Sequence, residues 1–200
     1  VRAKLRMAQF AAETNPEFSV NVEALTKAQP RELEASEIDV RLGATWLDPS
    51  IIQKFMTETF QIPYYLRRAV NVRYSPYTAE WRVEGKTATG RSDIISSETY
   101  GTSRANAYKI LEETLNLKDV RIYDTIEDAE GKPKRVLNKR ETMLAQQKQQ
   151  IIKDAFANWV WQGPQRRIAL VKQYNELFNS TRPREYDGSH IKFVGMNPEI

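Results

Sequence analysis

No cysteine occurs in the 200 residues, and there is a single histidine. The first absence excludes disulfides and thiolate-bound metal and fits a cytoplasmic setting. The second excludes a histidine cluster for a metal; His190 stands alone in a polar stretch that reads as a surface loop. No apolar run reaches the length of a membrane span, and no signal-peptide pattern precedes the first polar residues. A phosphate loop, which needs glycines followed by Lys and Ser/Thr at fixed spacing, is also missing.

What is present is the composition of a soluble globular chain, 40% hydrophobic and 28% charged, long enough for one core with a helical appendage. The net charge of +4 conceals an asymmetry. Between Gly131 and Arg184 there are 12 Lys/Arg and 3 Asp/Glu, a balance of +9, against −5 for the rest. A basic stretch beside an acidic one implies an anionic partner, or else a solvated helix surface. The chain begins at Val1 and ends in MNPEI without a closing element, as expected of a piece of a longer polypeptide.

Hydrophobic period organises the chain into three parts: a helical arm over 1–36, an α+β core over 37–138, and a helix pair with an extended C-terminal segment over 139–200. In the arm, Val1, Leu5, Ala8 and Ala12 share one helix face, and a second short helix runs from Val20 to Ala28. In the core, Ile38, Val40, Leu42, Ala44 and Trp46 alternate with polar residues, a strand pattern. Asp48-Pro49 then signals a helix start, with Ile51, Ile52, Phe55, Met56 and Phe60 on its apolar face. Val70, Val72, Tyr74 and Ala79, Trp81, Val83 predict two strands around Ser75-Pro76, with Trp46 and Trp81 facing inward. Residues 86–97 carry no assignable pattern. A helix follows Gly101-Thr102-Ser103-Arg104, and a hairpin runs from Val120, Ile122 and Asp124 through a turn at Glu130-Gly131 to Arg135–Leu137. The order β-α-β-β-α-β predicts a ferredoxin-like core. Beyond Asn138, Leu144, Ile151, Ala155, Phe156 and Trp159 define one helical stripe with a Gln-rich exposed side. After Pro164, Ile168, Val171, Tyr174 and Phe178 define another. Trp161 breaks the first stripe and is expected at the surface.

Few constellations carry chemistry. Adjacent Glu112 and Glu113 point about 100° apart on a helix and form no dyad. Asp124, Glu127, Asp128 and Glu130 read as a solvated acid run or a weak cation site. A DNA adenine methyltransferase needs an Asp/Asn-Pro-Pro-aromatic turn; MNPEI has one proline and no aromatic. Thr102 or Ser103 can cap the following helix, or the same loop can take a nucleic-acid phosphate with Arg104 adding charge. The strongest nucleic-acid candidates lie between Lys132 and Arg184, namely Lys148, Lys153, Arg166, Arg167 and Lys172. The apolar stripes would leave these outward, along a phosphate backbone. No residue is assigned to catalysis or to a metal.

Four strings, ASEIDVRLGATWLDPSIIQKFM, YSPYTAEW, YGTSRANAYKILEETLNLKDVRIYD and NSTRPREYDGSHIKFVGMNPEI, resemble the middle region of very large phage, plasmid and conjugative-element proteins. Those proteins fuse an amino-terminal DNA adenine methyltransferase to a carboxy-terminal Swi/Snf-type helicase. The resemblance covers nearly the whole chain, with the strings in the same order. It implies a parent protein using S-adenosylmethionine and ATP/Mg, while the family's catalytic residues have no counterparts in this chain, so no cofactor is expected here. The expected function is a noncatalytic DNA-contacting or positioning domain. The alternative is a connector that binds the flanking methyltransferase and helicase domains without touching DNA. The expected partners are DNA and those flanking domains, without a membrane.

Overall fold

In a computed structural model of the chain, residues 1–88, 93–127 and 132–181 are described. His190 and the Glu130-Gly131 turn lie outside them. The fold is α+β, with the chain divided into two compact units, Val1–Ile38 with Ile168–Ile200, and Asp39–Arg167. The boundary falls inside a helix.

The first unit contains α1 (Arg2–Thr14) and α2 (Ser19–Lys27), separated by a 3-10 turn over Pro16–Phe18. Asn15 caps that turn by accepting from the Glu17 N–H at 3.1 Å. Val1, Leu5, Ala8 and Ala12 are half-buried, as their spacing predicts. α6 (Pro164–Leu177) supplies Asn175, which is buried and clamps the extended segment at Leu33. Its Oδ1 accepts from the Leu33 N–H at 2.9 Å, and its Nδ2 donates to the Leu33 carbonyl at 2.9 Å. Thus a polar residue, with Leu170, forms the buried face of α6, while Ile168 and Phe178 of the expected stripe are exposed.

The second unit holds the main core. α3 (Pro49–Thr59) starts where the Asp-Pro pair predicts: the Asp48 carboxylate accepts from the Ser50 N–H at 2.8 Å. The Ser50 hydroxyl, and then this backbone bond, hold the Asp48 pKa below the ordinary carboxylate value. Ile52, Phe55 and Met56 are fully buried. β1 (Asn71–Ser75) and β2 (Glu80–Glu84) form an antiparallel hairpin with Tyr74 opposite Trp81, and Val72 and Trp81 turn inward. α4 (Ala107–Leu115) adds Tyr108, Ile110 and Leu111. β3 (Tyr123–Glu127) and β4 (Pro133–Leu137) form a second hairpin, and α5 (Lys139–Val160) closes the core through Ile152, Phe156 and Val160. The Phe55 and Phe156 rings meet edge-on at 5.1 Å.

The described strands thus form two separate two-stranded sheets, not one ferredoxin-like sheet. Side chains take the place of the missing neighbours. Gln53 on α3 accepts from the Val72 N–H at 2.7 Å and donates to the Val70 carbonyl at 2.9 Å, closing the edge of β1. On the β2 edge, Asn116 does the same for both backbone groups of Trp81, and Glu112 accepts from the Val83 N–H. Ile38, Val40 and Leu42 are buried alternately, as expected, but their segment forms no ladder. It turns at Gly43, whose φ is +89° and where a Cβ would lie 2.3 Å from the Leu115 carbonyl oxygen. Trp46 is half-buried.

Thr142 and Gln149 of α5 are buried against the chain at Lys118–Ile122. Gln149 donates to the Lys118 carbonyl at 2.7 Å and Thr142 accepts from the Ile122 N–H at 3.0 Å. The buried stripe therefore runs through Thr142, Ala145, Gln149, Ile152 and Phe156, and leaves Leu144 and Ile151 outside. The Gln-rich side expected to be exposed is partly the packing face. Trp161 is half-buried and not open.

Candidate nucleic-acid interface

The Gly101–Arg104 loop is not the start of α4. Asn106 caps that helix, accepting from the Lys109 N–H at 3.0 Å. Gly101 is needed for close packing, since a Cβ there would lie 2.1 Å from the Ser96 carbonyl oxygen. Thr102 Oγ1 accepts from the N–H of Ala105 at 3.0 Å, closing its own turn. Ser103 is exposed. Arg104 reaches across to β3, donating to Asp124 Oδ1 at 2.8 Å and to the Tyr123 carbonyl at 3.0 Å. The loop lines an open groove of about 910 Å³ whose charged walls mix Lys86, Arg104 and Lys109 with Glu98, Glu112 and Glu113. Lys86 and Glu112 pair directly. A groove of balanced sign does not select an anion.

Asp124 belongs to the same anchor. Its second oxygen accepts from Asn138 Nδ2 at 2.7 Å, and Asn138 Oδ1 in turn caps α5. The Arg104 guanidinium, then Asn138, hold the Asp124 carboxyl below its ordinary pKa. The expected acid run is therefore in part a hairpin clasp.

The five cations singled out from the sequence have different fates. Arg166 folds back on α5, donating to the carbonyls of Val160 at 2.9 Å and Trp159 at 2.6 Å, with its guanidinium 3.5 Å from the centre of the Trp159 ring. Burial lowers its pKa. It closes a helix and is not offered outward. Lys148 donates to the Thr99 carbonyl at 3.2 Å. Lys153 lines a recess with Asp39, Asp119 and Asp154. Five positions separate Lys148 from Lys153, about 140° around a helix, so they flank the buried stripe on opposite sides and cannot follow one phosphate track. Arg167 and Lys172 are exposed, in the second and first unit respectively.

A different group stands together. Lys134 and Arg135 on β4, and Lys139 and Arg140 in the first turn of α5, are all exposed within seven residues of chain. The ion pairs between described residues take their cations from the stretch between Arg2 and Arg104. None of these four, nor Lys148, Lys153, Arg167 or Lys172, enters one. Arg135 stacks 4.8 Å over the Tyr123 ring instead. Lys139 and Arg140 also sit at the positive end of the α5 dipole, where cations are disfavoured unless an anion arrives. Glu141 is the only acid between Lys132 and Lys153.

A family model described as a domain of unknown function, DUF8437, matches residues 41–180. The chain belongs to the DUF8437 family. No curated protein and no solved structure matches it. The matched residues of this DUF8437 member include the whole β4–α5 cationic stretch and the Arg104–Asp124 clasp. Among the described residues no three His, Asp or Glu side chains are placed to hold a metal, and no helix is long and apolar enough to cross a membrane. The sequence reading included the β4–α5 cations in its basic segment but did not single them out. The available signal was their density around a predicted helix start.

Proposed function

We propose that this chain is a noncatalytic DNA-contacting domain. It positions a duplex by holding phosphates along β4 and the first turn of α5, through Lys134, Arg135, Lys139 and Arg140, with Arg167 of the same unit as an outlying contact. The observation that carries the reading is that Lys134, Arg135, Lys139 and Arg140 are exposed together and enter no ion pair among the described residues, while nine cations between Arg2 and Arg104 do. Contacts of this kind fix position without reading bases. A two-stranded ribbon running into a helix is also a shape that a DNA groove admits.

In this proposal the domain lies, in the cytoplasm, between the methyltransferase and helicase of a larger protein. Those partners, and not this domain, would use S-adenosylmethionine and ATP/Mg. The isolated chain is expected to turn over neither compound above a mock purification. A second reading, a connector that binds the flanking domains, draws on the exposed Met7, Phe10 and Val20 of α1 and α2. The test is fluorescence anisotropy with a labelled duplex of arbitrary sequence. Lys139→Gln with Arg140→Gln should weaken binding; unchanged binding would transfer support to the connector.

A further inference from the structure

The surface between α3 and β1 has a character of its own. Tyr64 and Tyr65 are 81% and 79% exposed, side by side on a 3-10 turn over Tyr64–Leu66. Single exposed apolar residues are ordinary. Two adjacent rings held on a fixed turn are less so. The turn is fixed on both sides, by Ile62 and Val70, each almost wholly buried. Within it the Leu66 N–H donates to the Pro63 carbonyl at 2.9 Å, the Ala69 N–H to Leu66 at 2.9 Å, and Arg67 Nε to the Ile62 carbonyl at 3.2 Å. The backbone that carries the rings is therefore already ordered, which spares the cost of ordering a flexible loop.

Charge adds a second, independent observation. From Thr59 to Ala79 the chain has no acid, yet it carries Arg67, Arg68 and Arg73. Arg67 lies 5.8 Å from the Tyr64 ring centre, and among the described residues neither it nor Arg68 enters an ion pair. The turn leads into β1, where Arg73 stands directly opposite Arg82. Like charges across a ladder are destabilising; Glu84 offsets Arg73, while Arg82 has no ion pair among the described residues. At the tip of the same hairpin Tyr77 is 98% exposed.

Flat π-faces flanked by guanidiniums that enter no ion pair among the described residues, on a stretch of chain without an acid, match a ligand that repeats a flat base and an anionic phosphate. We infer that the Tyr64–Arg68 turn is a base-stacking site for single-stranded nucleic acid. The rings of Tyr64 and Tyr65 receive unpaired bases, and Arg67 and Arg68 take the adjoining phosphates. The inference deepens the DNA-contacting reading and rests on it for the class of partner. It concerns residues remote in sequence from β4 and α5, so the two can fail separately.

The experiment uses the whole chain with labelled oligodeoxythymidine, labelled oligouridine and a labelled duplex, at low and high salt. Tyr64→Ala with Tyr65→Ala should weaken oligodeoxythymidine binding by at least about tenfold, a loss that persists at high salt because stacking is not ionic. Its melting temperature should match the parent, since both rings are exposed. Tyr64→Phe with Tyr65→Phe keeps the π-faces and should restore binding. A matching loss on oligouridine assigns the site to unpaired bases of either sugar; a loss confined to oligodeoxythymidine assigns it to single-stranded DNA. Single-strand binding that survives the Ala pair unchanged, or no single-strand binding by the parent, overturns the inference and leaves the rings as a protein-facing surface. Loss of duplex binding in Lys139→Gln with Arg140→Gln reports on the other site alone.

Discussion

Arg104 clasps Asp124 across twenty residues of sequence, with Nη1 2.8 Å from Oδ1, while Nη2 holds the Tyr123 carbonyl at 3.0 Å. The side chain that sequence reading offers to a phosphate instead pins the root of the β3–β4 hairpin. Two-stranded ribbons are marginal by themselves, so the pin should matter locally. Arg104→Ala is expected to leave global stability nearly unchanged, as is usual for exposed ion pairs. It should also accelerate amide exchange across Tyr123–Glu127 and Pro133–Leu137. Exchange rates equal to the parent's would show that the clasp is ornamental.

The same clasp makes a pH prediction. The folded pKa of Asp124 lies below its ordinary value because Arg104 and Asn138 donate to it. The stabilisation it lends is therefore complete above the ordinary aspartate range, near pH 4, and is lost as the pH falls through the depressed folded value. A carboxyl-carbon NMR titration should place the Asp124 midpoint below that of free aspartate. In Arg104→Ala the midpoint should rise back toward it.

Trp81 is 3% exposed, with its backbone gripped by Asn116, whereas Trp46 is only half-buried. Trp81→Ala should cost about 3–5 kcal/mol in urea unfolding, and Trp46→Ala distinctly less. Equal costs would contradict the inward register of β2.

Arg166 and Arg167 are neighbours with opposite roles. Arg166→Ala removes two bonds to helix-end carbonyls and the stacking on Trp159, and should cost about 1–2 kcal/mol with duplex affinity retained. Arg167→Ala should leave the melting temperature unchanged and weaken the duplex complex. The reverse pattern, read by calorimetry and anisotropy together, would refute the assignment.

Local signals in the sequence were faithful where one residue type settles one geometry. Asp48-Pro49 opens α3, Pro164 opens α6, and the alternation around Ser75-Pro76 gives the first hairpin. The second hairpin is shifted: its return strand holds Arg135–Leu137 as expected, but β3 begins only at Tyr123, and Val120 and Ile122, expected in that strand, precede it as buried residues. Alternation at Ile38, Val40 and Leu42 reported burial correctly, but burial is not pairing. A period of two cannot reveal that Gln53, Asn116 and Gln149 supply the hydrogen bonds another strand would give. The α5 stripe was misplaced for a related reason: hydrophobicity overlooks Thr142 and Gln149, polar residues buried because their bonds are met. In the loop before α4, Thr102 and Asn106 are both competent caps, and only the tertiary path decides for Asn106. The candidate site was legible as a basic segment but not residue by residue, because which cations the fold consumes internally depends on contacts such as Arg166 with Trp159.

The central claim is that Lys134, Arg135, Lys139 and Arg140 neutralise DNA phosphates. Its most direct test is the logarithmic slope of duplex affinity against salt concentration, for the parent and for the variant with all four changed to Gln. Each phosphate contact contributes roughly 0.9 to that slope. The account predicts binding that weakens steeply with salt in the parent and a slope shallower by about 3–4 in the variant. A slope that survives the four changes intact, or a parent chain that does not bind duplex at all, would contradict it.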